Sequence, residues 1–209
     1  MSELPAQRRR AGPAAGTIDA MAVHVDASLP VHPLTIDDVH AMVRAGILGE
    51  DDRVELLDGV LVEMSPQSPA HLEAVSRLTM LVVPIAARAG LVVNPQGPLD
   101  VASPISLPEP DIAVAPAGGW DAYPAQALLV VEVSVTSRAV DLGRKAAIYA
   151  AAGIPDYWVL DIARRRLVVH RDPVADRYES VASLTDADVA TAARLPLTVP
   201  VANLLPPRP

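Results

Sequence analysis

The stretch LLVVEVSVTSRAVDLGRKAAIYAAAGIPDYWVLD, residues 128–161, decides the fold. It begins with an apolar run at 128–134 whose length and valine content are typical of a buried strand. A helix is predicted from about Val140 to Ala152, because Gly153 can cap its end and the proline two positions later prevents its continuation. Residues 156–161 form a second apolar run. The sequence therefore predicts a strand, a helix and a strand in succession.

Two charged residues inside this stretch are unusual. Glu132 interrupts the first apolar strand, and burying an ionised carboxylate is costly unless a cation or hydrogen-bond donor compensates. Lys145, on the following helix, is the only lysine among the 17 basic residues of the chain. A single compact ammonium close to a buried acid suggests a metal-dependent hydrolytic site.

A helix, a hairpin and a second helix are expected before residue 91. Thr35 is a favourable N-cap for a short amphipathic helix that ends near Gly46. Asp58-Gly59 stands between two apolar runs, the strongest short signal for a β-hairpin. Ser68-Pro69 precedes a helix predicted over residues 71–88. The buried side of that helix is predicted to consist of Leu72, Val75, Leu78 and Leu81 or Val82.

The remaining segments complete a single domain. Strands are predicted at 91–94, 99–102 and 111–115, a hairpin is predicted through Ala163–Arg165, and residues 181–205 are read as one more strand with a short closing segment. The order fits an α/β (α+β) fold with a mixed central sheet flanked by helices. We expect one domain at 34–209. Residues 1–33, rich in Pro, Ala and Gly, are expected to be a disordered arm.

Composition excludes several classes of protein. The absence of cysteine excludes a disulfide scaffold, thiolate metal sites and a cysteine nucleophile. The net charge of -8 argues against a protein that coats nucleic acid by electrostatics alone. Charge or proline interrupts the apolar stretches, so no membrane-spanning helix and no membrane partner are expected. Because the arm lacks a continuous hydrophobic region after its arginines, we expect a cytoplasmic location.

Asp111 is a second acid at the start of an apolar strand, and it can lie beside Glu132 on a neighbouring strand. Two adjacent carboxylates repel unless a divalent cation joins them, and hard oxygen ligands favour Mg²⁺ or Mn²⁺. Lys145 would then hold the attacking water or offset charge on a phosphate, in a space too small for a guanidinium. Taken alone, Asp111 fits a turn acid equally well, and Lys145 fits an exposed pair with Asp141. Glu55, in the alternating hairpin, could equally face solvent.

Five segments of the chain resemble the Uma family of bacterial putative restriction endonucleases, which belongs to the PD-(D/E)xK nuclease superfamily. They are VELLDG at 54–59, MSP at 64–66, EPDIAV at 109–114, VEVS at 131–134 and the run from 141 to 161. The segments occur in the family's order, and the resemblance covers roughly residues 35 to 205. This order is far more specific than any one segment.

The resemblance implies a restriction-endonuclease-like core with a catalytic set of Glu55, Asp111, Glu132 and Lys145. It implies that Asp111 and Glu132 hold the metal. In the superfamily's usual pattern the lysine stands two residues after the second acid, where this chain has Ser134. The lysine stands on the following helix instead, as it does in the family resembled, so its role depends on that helix packing across the strand end.

The leading hypothesis is a Mg²⁺- or Mn²⁺-dependent endodeoxyribonuclease that hydrolyses DNA phosphodiester bonds by in-line attack of water. The alternative is a catalytically silent nuclease-fold protein that acts as a nucleic-acid-binding or assembly module, which the acidic net charge favours. Glycosidase, serine hydrolase, P-loop and zinc sites each lack their required residues here.

Several further residues have two interpretations. His71 is expected either to orient a phosphate or water, or to be a surface residue at a helix start. Tyr157 and Trp158 are expected in the core or at a subunit interface, and we expect a homodimer whose two sites address two DNA strands. A basic cluster is expected to contact a nucleic-acid backbone or to be a solvated hairpin. It consists of Arg164, Arg165, Arg166, Arg171 and Arg177.

Overall fold

The computed structural model describes residues 31–49 and 51–207. The predicted disordered arm at 1–33 therefore lies outside the described residues, apart from its last three positions. In the described part, the first helix, α1, is Ile36–Arg44. Thr35 caps it as predicted, because its hydroxyl accepts from the Asp38 N–H and the Asp38 carboxylate accepts from the Thr35 N–H.

The predicted hairpin and second helix follow. Strands β1, Val54–Leu57, and β2, Val60–Glu63, pair antiparallel through the turn Asp58-Gly59. Both turn residues have positive φ, 50° and 77°, the conformation that a two-residue hairpin turn requires. Helix α2 is Pro69–Arg88, with the Ser68 hydroxyl accepting from a backbone N–H of the first turn. The helix ends where predicted and begins two residues before the predicted start at residue 71.

A six-stranded sheet forms the centre, in the order β3-β4-β5-β6-β7-β8. Strands β5 and β6 are parallel, and every other neighbouring pair is antiparallel. The parallel pair arises because the helical crossover returns the chain to the end of the sheet at which β5 begins, so that β6 runs in the same direction. The strands are β3 Leu91–Pro95, β4 Ile112–Pro116, β5 Leu129–Ser134, β6 Asp156–Asp161, β7 Arg166–Val174 and β8 Arg177–Thr185. The predicted mixed sheet with flanking helices is confirmed.

The side chains of β5 alternate between two apolar clusters. Leu129, Val131 and Val133 join the cluster formed with α2. Val130 joins the cluster on the other face, which is covered by the crossover helix. Because successive strand residues point to opposite faces, Glu132 belongs to the face of Val130. Both sheet faces are therefore covered, and Glu132 lies under the crossover helix.

The crossover differs from the regular helix predicted over 140–152. It consists of a short turn of helix, α3 (Arg138–Val140), a π-helical segment (Asp141–Lys145) and α4 (Ala146–Ala151). A π-helix adds a residue to the turn relative to an α-helix and is frequent at functional sites. Hydrophobic spacing over so short a segment does not reveal one extra residue.

Three other predictions about elements are wrong. Leu72 is exposed, because the buried side of α2 follows the four-residue spacing Ala74, Leu78, Val82, Ala86 and places Leu72 on the opposite side. Residues 99–102 contain only an isolated bridge between Asp100 and Ala125. The C-terminal part contains more than one strand: β8 is followed by β9 (Val189–Thr191), β10 (Thr198–Pro200) and helix α5 (Val201–Leu204).

Helix α2 is, among the described residues, one helix long and apolar enough to cross a membrane by length and composition. This finding differs from the expectation that no segment would qualify. It is weak evidence for a span, because core helices of soluble proteins have the same length and composition. Five α2 residues pack into the core beneath the sheet: Ala74, Val75, Leu78, Val82 and Ala86.

Candidate active site

The four residues predicted to be catalytic line one cavity of about 230 Å³. Glu55 comes from β1, Asp111 directly precedes β4, Glu132 lies in β5 and Lys145 ends the π-helical segment. They are brought together because β4 and β5 are neighbours and because the hairpin and the crossover pack over the same end of the sheet. The site is thus assembled from residues that are far apart in the sequence.

Lys145 lies between two carboxylates. Its Nζ is 3.0 Å from Glu55 Oε2 and 3.0 Å from Glu132 Oε1. All three side chains are buried, with about 5% of each exposed. The interpretation of Lys145 as one half of an exposed pair is therefore wrong, and so is the interpretation of Glu55 as a solvent-facing strand residue. An ammonium has three donors, so one remains for a water or a phosphate oxygen.

The two oxygens of Glu132 have different surroundings. Oε1 accepts from Lys145 Nζ at 3.0 Å and from the Tyr149 hydroxyl at 2.9 Å. Oε2 accepts from no donor in the described residues, while the side chain lines the cavity. One oxygen is thus fixed by the protein, and the other is available to a ligand.

Asp111 is held by three donors. Its Oδ2 accepts from the Val133 N–H at 2.7 Å, which connects it to the strand that carries Glu132. Its Oδ1 lies 3.0 Å from His71 Nε2 and 3.5 Å from the amide nitrogen of Gln96. The interpretation of His71 as a surface residue is wrong, since only 13% of its side chain is exposed. His71 orients Asp111 from the first turn of α2.

Burial dominates the electrostatics of the site. Burial raises the pKa of Glu132 well above its ordinary value, against the opposing effect of the Lys145 charge. Burial alone would lower the pKa of Lys145, but the charges of Glu132 and Glu55 outweigh it and raise that pKa. Burial also raises the pKa of Asp141, against the hydrogen bond from the Ser137 hydroxyl. The ammonium therefore stays charged and compensates a group of crowded acids.

Tyrosines brace the crossover over the site. The Tyr157 hydroxyl donates to the Asp141 carbonyl oxygen at 2.8 Å, at the start of the π-helical segment. The rings of Tyr149 and Tyr157 contact each other, with centroids 4.9 Å apart. Ser134, two residues after Glu132 at the end of β5, is buried. The tyrosine contacts hold the crossover so that Lys145 lies against Glu132, although the two residues are 13 positions apart in the sequence.

Sequence reasoning missed Tyr149, Glu109 and Gln96. Tyr149 stands four residues after Lys145 and hence on the same side of the helix, which was an available signal. The Glu109 backbone N–H donates to Glu55 Oε2 at 3.1 Å, and burial raises the pKa of the Glu109 side chain. Gln96 is adjacent to Asp111 only through the pairing of β3 with β4, which the sequence does not specify.

Most of the basic cluster is engaged in structural contacts. Arg171 pairs with Asp156, Arg164 with Asp161 and Arg165 with Asp186. The Arg166 guanidinium donates to the Ser183 hydroxyl. These contacts favour the interpretation of a paired hairpin over that of a surface for nucleic acid.

Tyr157 and Trp158 are completely buried, which confirms their core interpretation. The suggestion that the strand near Trp158 forms a subunit interface is wrong. That strand, β6, lies between β5 and β7, and its side chains are covered within one chain.

The donor set fits a hard divalent cation that retains water ligands. Among residues 31–49 and 51–207, no group of three or more His, Cys, Asp or Glu side chains is arranged to hold a metal. Asp111 and Glu132 line the same cavity, and no donor within the described residues reaches Glu132 Oε2. Mg²⁺ is commonly bound by one or two carboxylates, with water and substrate phosphate completing its coordination. Two acids are therefore sufficient as the protein ligands of such a cation.

Comparison with known proteins agrees with this architecture. The profile of the Uma2 family, described as "Putative restriction endonuclease", matches residues 36–202. The crystal structure of a putative nuclease belonging to DUF820 from Anabaena variabilis has a similar fold, with a TM-score of 0.64 and 13% sequence identity; the match covers 82% of this chain and 97% of that one. No curated protein matches the chain. Because the family profile covers most of the chain, this protein belongs to the Uma2 family of restriction-endonuclease-like proteins.

Proposed function

We propose that this protein is a metal-dependent endodeoxyribonuclease that hydrolyses phosphodiester bonds at the cavity formed by Glu55, Asp111, Glu132 and Lys145. One observation carries the proposal: two acids from neighbouring strands and a buried lysine line a single cavity, and one oxygen of Glu132 accepts from no donor in the part of the chain that the structure describes. Membership of the family supports a nuclease with DNA as its substrate.

Asp111 and Glu132 would hold Mg²⁺ or Mn²⁺. When bound, the cation would activate water and neutralise charge on a phosphate oxygen. Glu55 and Glu132 each pair with the Lys145 ammonium at 3.0 Å, which leaves its third donor for the cavity contents. Lys145 would orient the attacking water or stabilise charge that develops on the phosphate, because a preorganised donor in a water-poor site costs little reorganisation.

The test is cleavage of supercoiled plasmid by the purified full chain, with Mg²⁺, with Mn²⁺ and with a chelator. We expect nicking with either cation and none with the chelator. The substrates should include methylated, unmethylated and single-stranded DNA, since a requirement for modification would otherwise resemble inactivity. Absence of cleavage on all of them, together with retention of labelled DNA in a gel-shift assay, would favour the alternative of a binding module.

Two further parts of the proposal concern the setting of the enzyme. A homodimer would allow two sites to address the two DNA strands. Its interface must lie away from β6, because that strand is buried within one chain. Sedimentation equilibrium at several concentrations tests this state. The cytoplasmic location remains a prediction from the composition of the chain.

A further inference from the structure

We propose that Tyr149 is a positioning residue that holds the Glu132 carboxylate with Oε2 directed to the cavity. The inference rests on the proposed function, because it assigns to Tyr149 the orientation of a metal ligand. Tyr149 does not line the cavity, so it acts through Glu132 and not on the substrate.

The geometry around Glu132 supports this role. Two donors, the Tyr149 hydroxyl and Lys145 Nζ, converge on the same oxygen, Oε1, at 2.9 and 3.0 Å. A carboxylate held by one donor can rotate about its last side-chain torsion, which is broad. A second donor from a different direction restricts that rotation. The pair of donors thereby determines which oxygen a cation would meet.

Tyr149 is itself rigid. Its side chain is completely buried in α4, and its ring packs against Tyr157. Tyr157 in turn donates to the backbone of the π-helical segment, at Asp141. Side chains that orient metal ligands act best when their own rotamers are fixed by packing. The hydroxyl of Tyr149 is therefore a donor of fixed position for the Glu132 carboxylate.

Lys145 cannot provide the same constraint alone. Its ammonium is shared between Glu132 and Glu55, and its three donors rotate about a flexible stem. Tyr149 has one hydroxyl hydrogen and directs it to Glu132. Removing that hydroxyl should leave the charge of the site unchanged and loosen only the carboxylate.

The test compares Tyr149→Phe with Tyr178→Phe in the full chain. Tyr178 is a matched control, because its buried hydroxyl donates to the Ile154 carbonyl oxygen at 2.9 Å, outside the cavity. Mn²⁺ binding is measured by titration calorimetry, and thermal unfolding is measured in parallel without metal. We expect Tyr149→Phe to weaken Mn²⁺ affinity about 10- to 100-fold, the usual effect of losing a residue that orients a metal ligand. Tyr178→Phe should leave the affinity unchanged, although it also removes a buried tyrosine hydroxyl and lowers Tm.

Each other outcome is decisive. Equal Mn²⁺ affinity in wild type and Tyr149→Phe would overturn the positioning role and leave the proposed metal site standing. An equal loss in both variants would also overturn the role, because any buried tyrosine hydroxyl would then have the same effect. Absence of Mn²⁺ binding in the wild type would overturn the metal site itself, and the role of Tyr149 with it.

Discussion

Glu132 and Asp156 are both buried acids at adjacent strands of the sheet, and their surroundings differ in one respect. Asp156 Oδ1 accepts from Trp158 Nε1 and Arg171 Nε, and its Oδ2 accepts from the Ala193 N–H, so both oxygens are occupied. Glu132 has two donors on Oε1 and, within the part of the chain that the structure describes, none on Oε2. Burial alone does not distinguish a functional acid from a structural one.

The difference has a physical basis. A completely buried carboxylate whose oxygens are all hydrogen-bonded connects elements of the fold, as Asp156 connects β6 with β7 and with the loop at Ala193. Asp111 also accepts through both oxygens, but it differs from Asp156 because it lines the cavity and 13% of its side chain is exposed. A buried carboxylate with one oxygen facing a cavity has an acceptor without a protein donor. Its burial is unfavourable until a cation or another donor binds that oxygen. This contrast predicts that the two acids affect different observables when they are replaced.

The largest effect is expected from removing the carboxylates of the cavity. Glu132→Ala and Asp111→Ala should each lower plasmid cleavage by roughly 10³-fold, because a preorganised group that stabilises the transition state is lost. Calorimetric Mn²⁺ binding should disappear in both variants. Asp156→Ala should instead lower the free energy of unfolding by about 3 kcal/mol, because buried N–H groups lose their acceptor. Its cleavage rate per folded molecule should match that of the wild type.

Urea denaturation and a cleavage assay with a folded-fraction correction separate these observables. If Asp156→Ala removed Mn²⁺ binding as completely as Glu132→Ala does, the distinction between satisfied and open carboxylates would be wrong.

A smaller loss of activity is expected from replacing Lys145, the ammonium that pairs with Glu55 and Glu132. Lys145→Met should reduce cleavage about 10²-fold, since it removes one preorganised donor. It should also lower the free energy of unfolding by about 3 kcal/mol, because Glu55 and Glu132 lose a buried partner. The neighbouring Arg144, which is half exposed and 3.6 Å from Asp58, provides the control. Arg144→Met should cost less than about 1 kcal/mol and leave cleavage unchanged.

These two variants also test the charge balance within the cavity. Cleavage by Lys145→Met at the wild-type rate would show that the ammonium serves the fold alone. Lys145 would then have a structural role, as Asp156 has.

The sequence predicted those parts of the fold that local rules control. Asp58-Gly59 requires a two-residue turn, and the caps at Thr35 and Ser68 begin their helices where expected. The neighbourhood of Asp111 and Glu132 was predictable because each acid entered or interrupted an apolar strand. Both signals depend on a few adjacent residues, which is why they were read correctly.

The parts that could not be predicted depend on contacts between distant segments. Asp156 and Asp111 have similar sequence settings, each between a proline and an apolar strand, and only tertiary contacts such as the Ala193 N–H at Asp156 distinguish them. The π-helical segment leaves no trace in the hydrophobic spacing, although it lies directly before α4 and ends with Lys145. Leu72 was assigned to the buried side of α2 because its spacing fits one choice of helix face, and packing selected another.

The smallest effect is expected from His71, which contacts Asp111 only on Oδ1. His71→Ala should weaken Mn²⁺ affinity and cleavage about 10-fold, because Asp111 would keep its bond from the Val133 N–H but lose its firmest side-chain contact. His40→Ala is the control, since His40 bonds to the Tyr123 hydroxyl outside the cavity. A loss in His71→Ala as large as that in Asp111→Ala would mean that His71 acts on the substrate or cation directly. Unchanged affinity and cleavage would mean that the Val133 N–H and the Gln96 amide suffice to orient Asp111, and the carboxylate of Asp111 would then be fixed without His71.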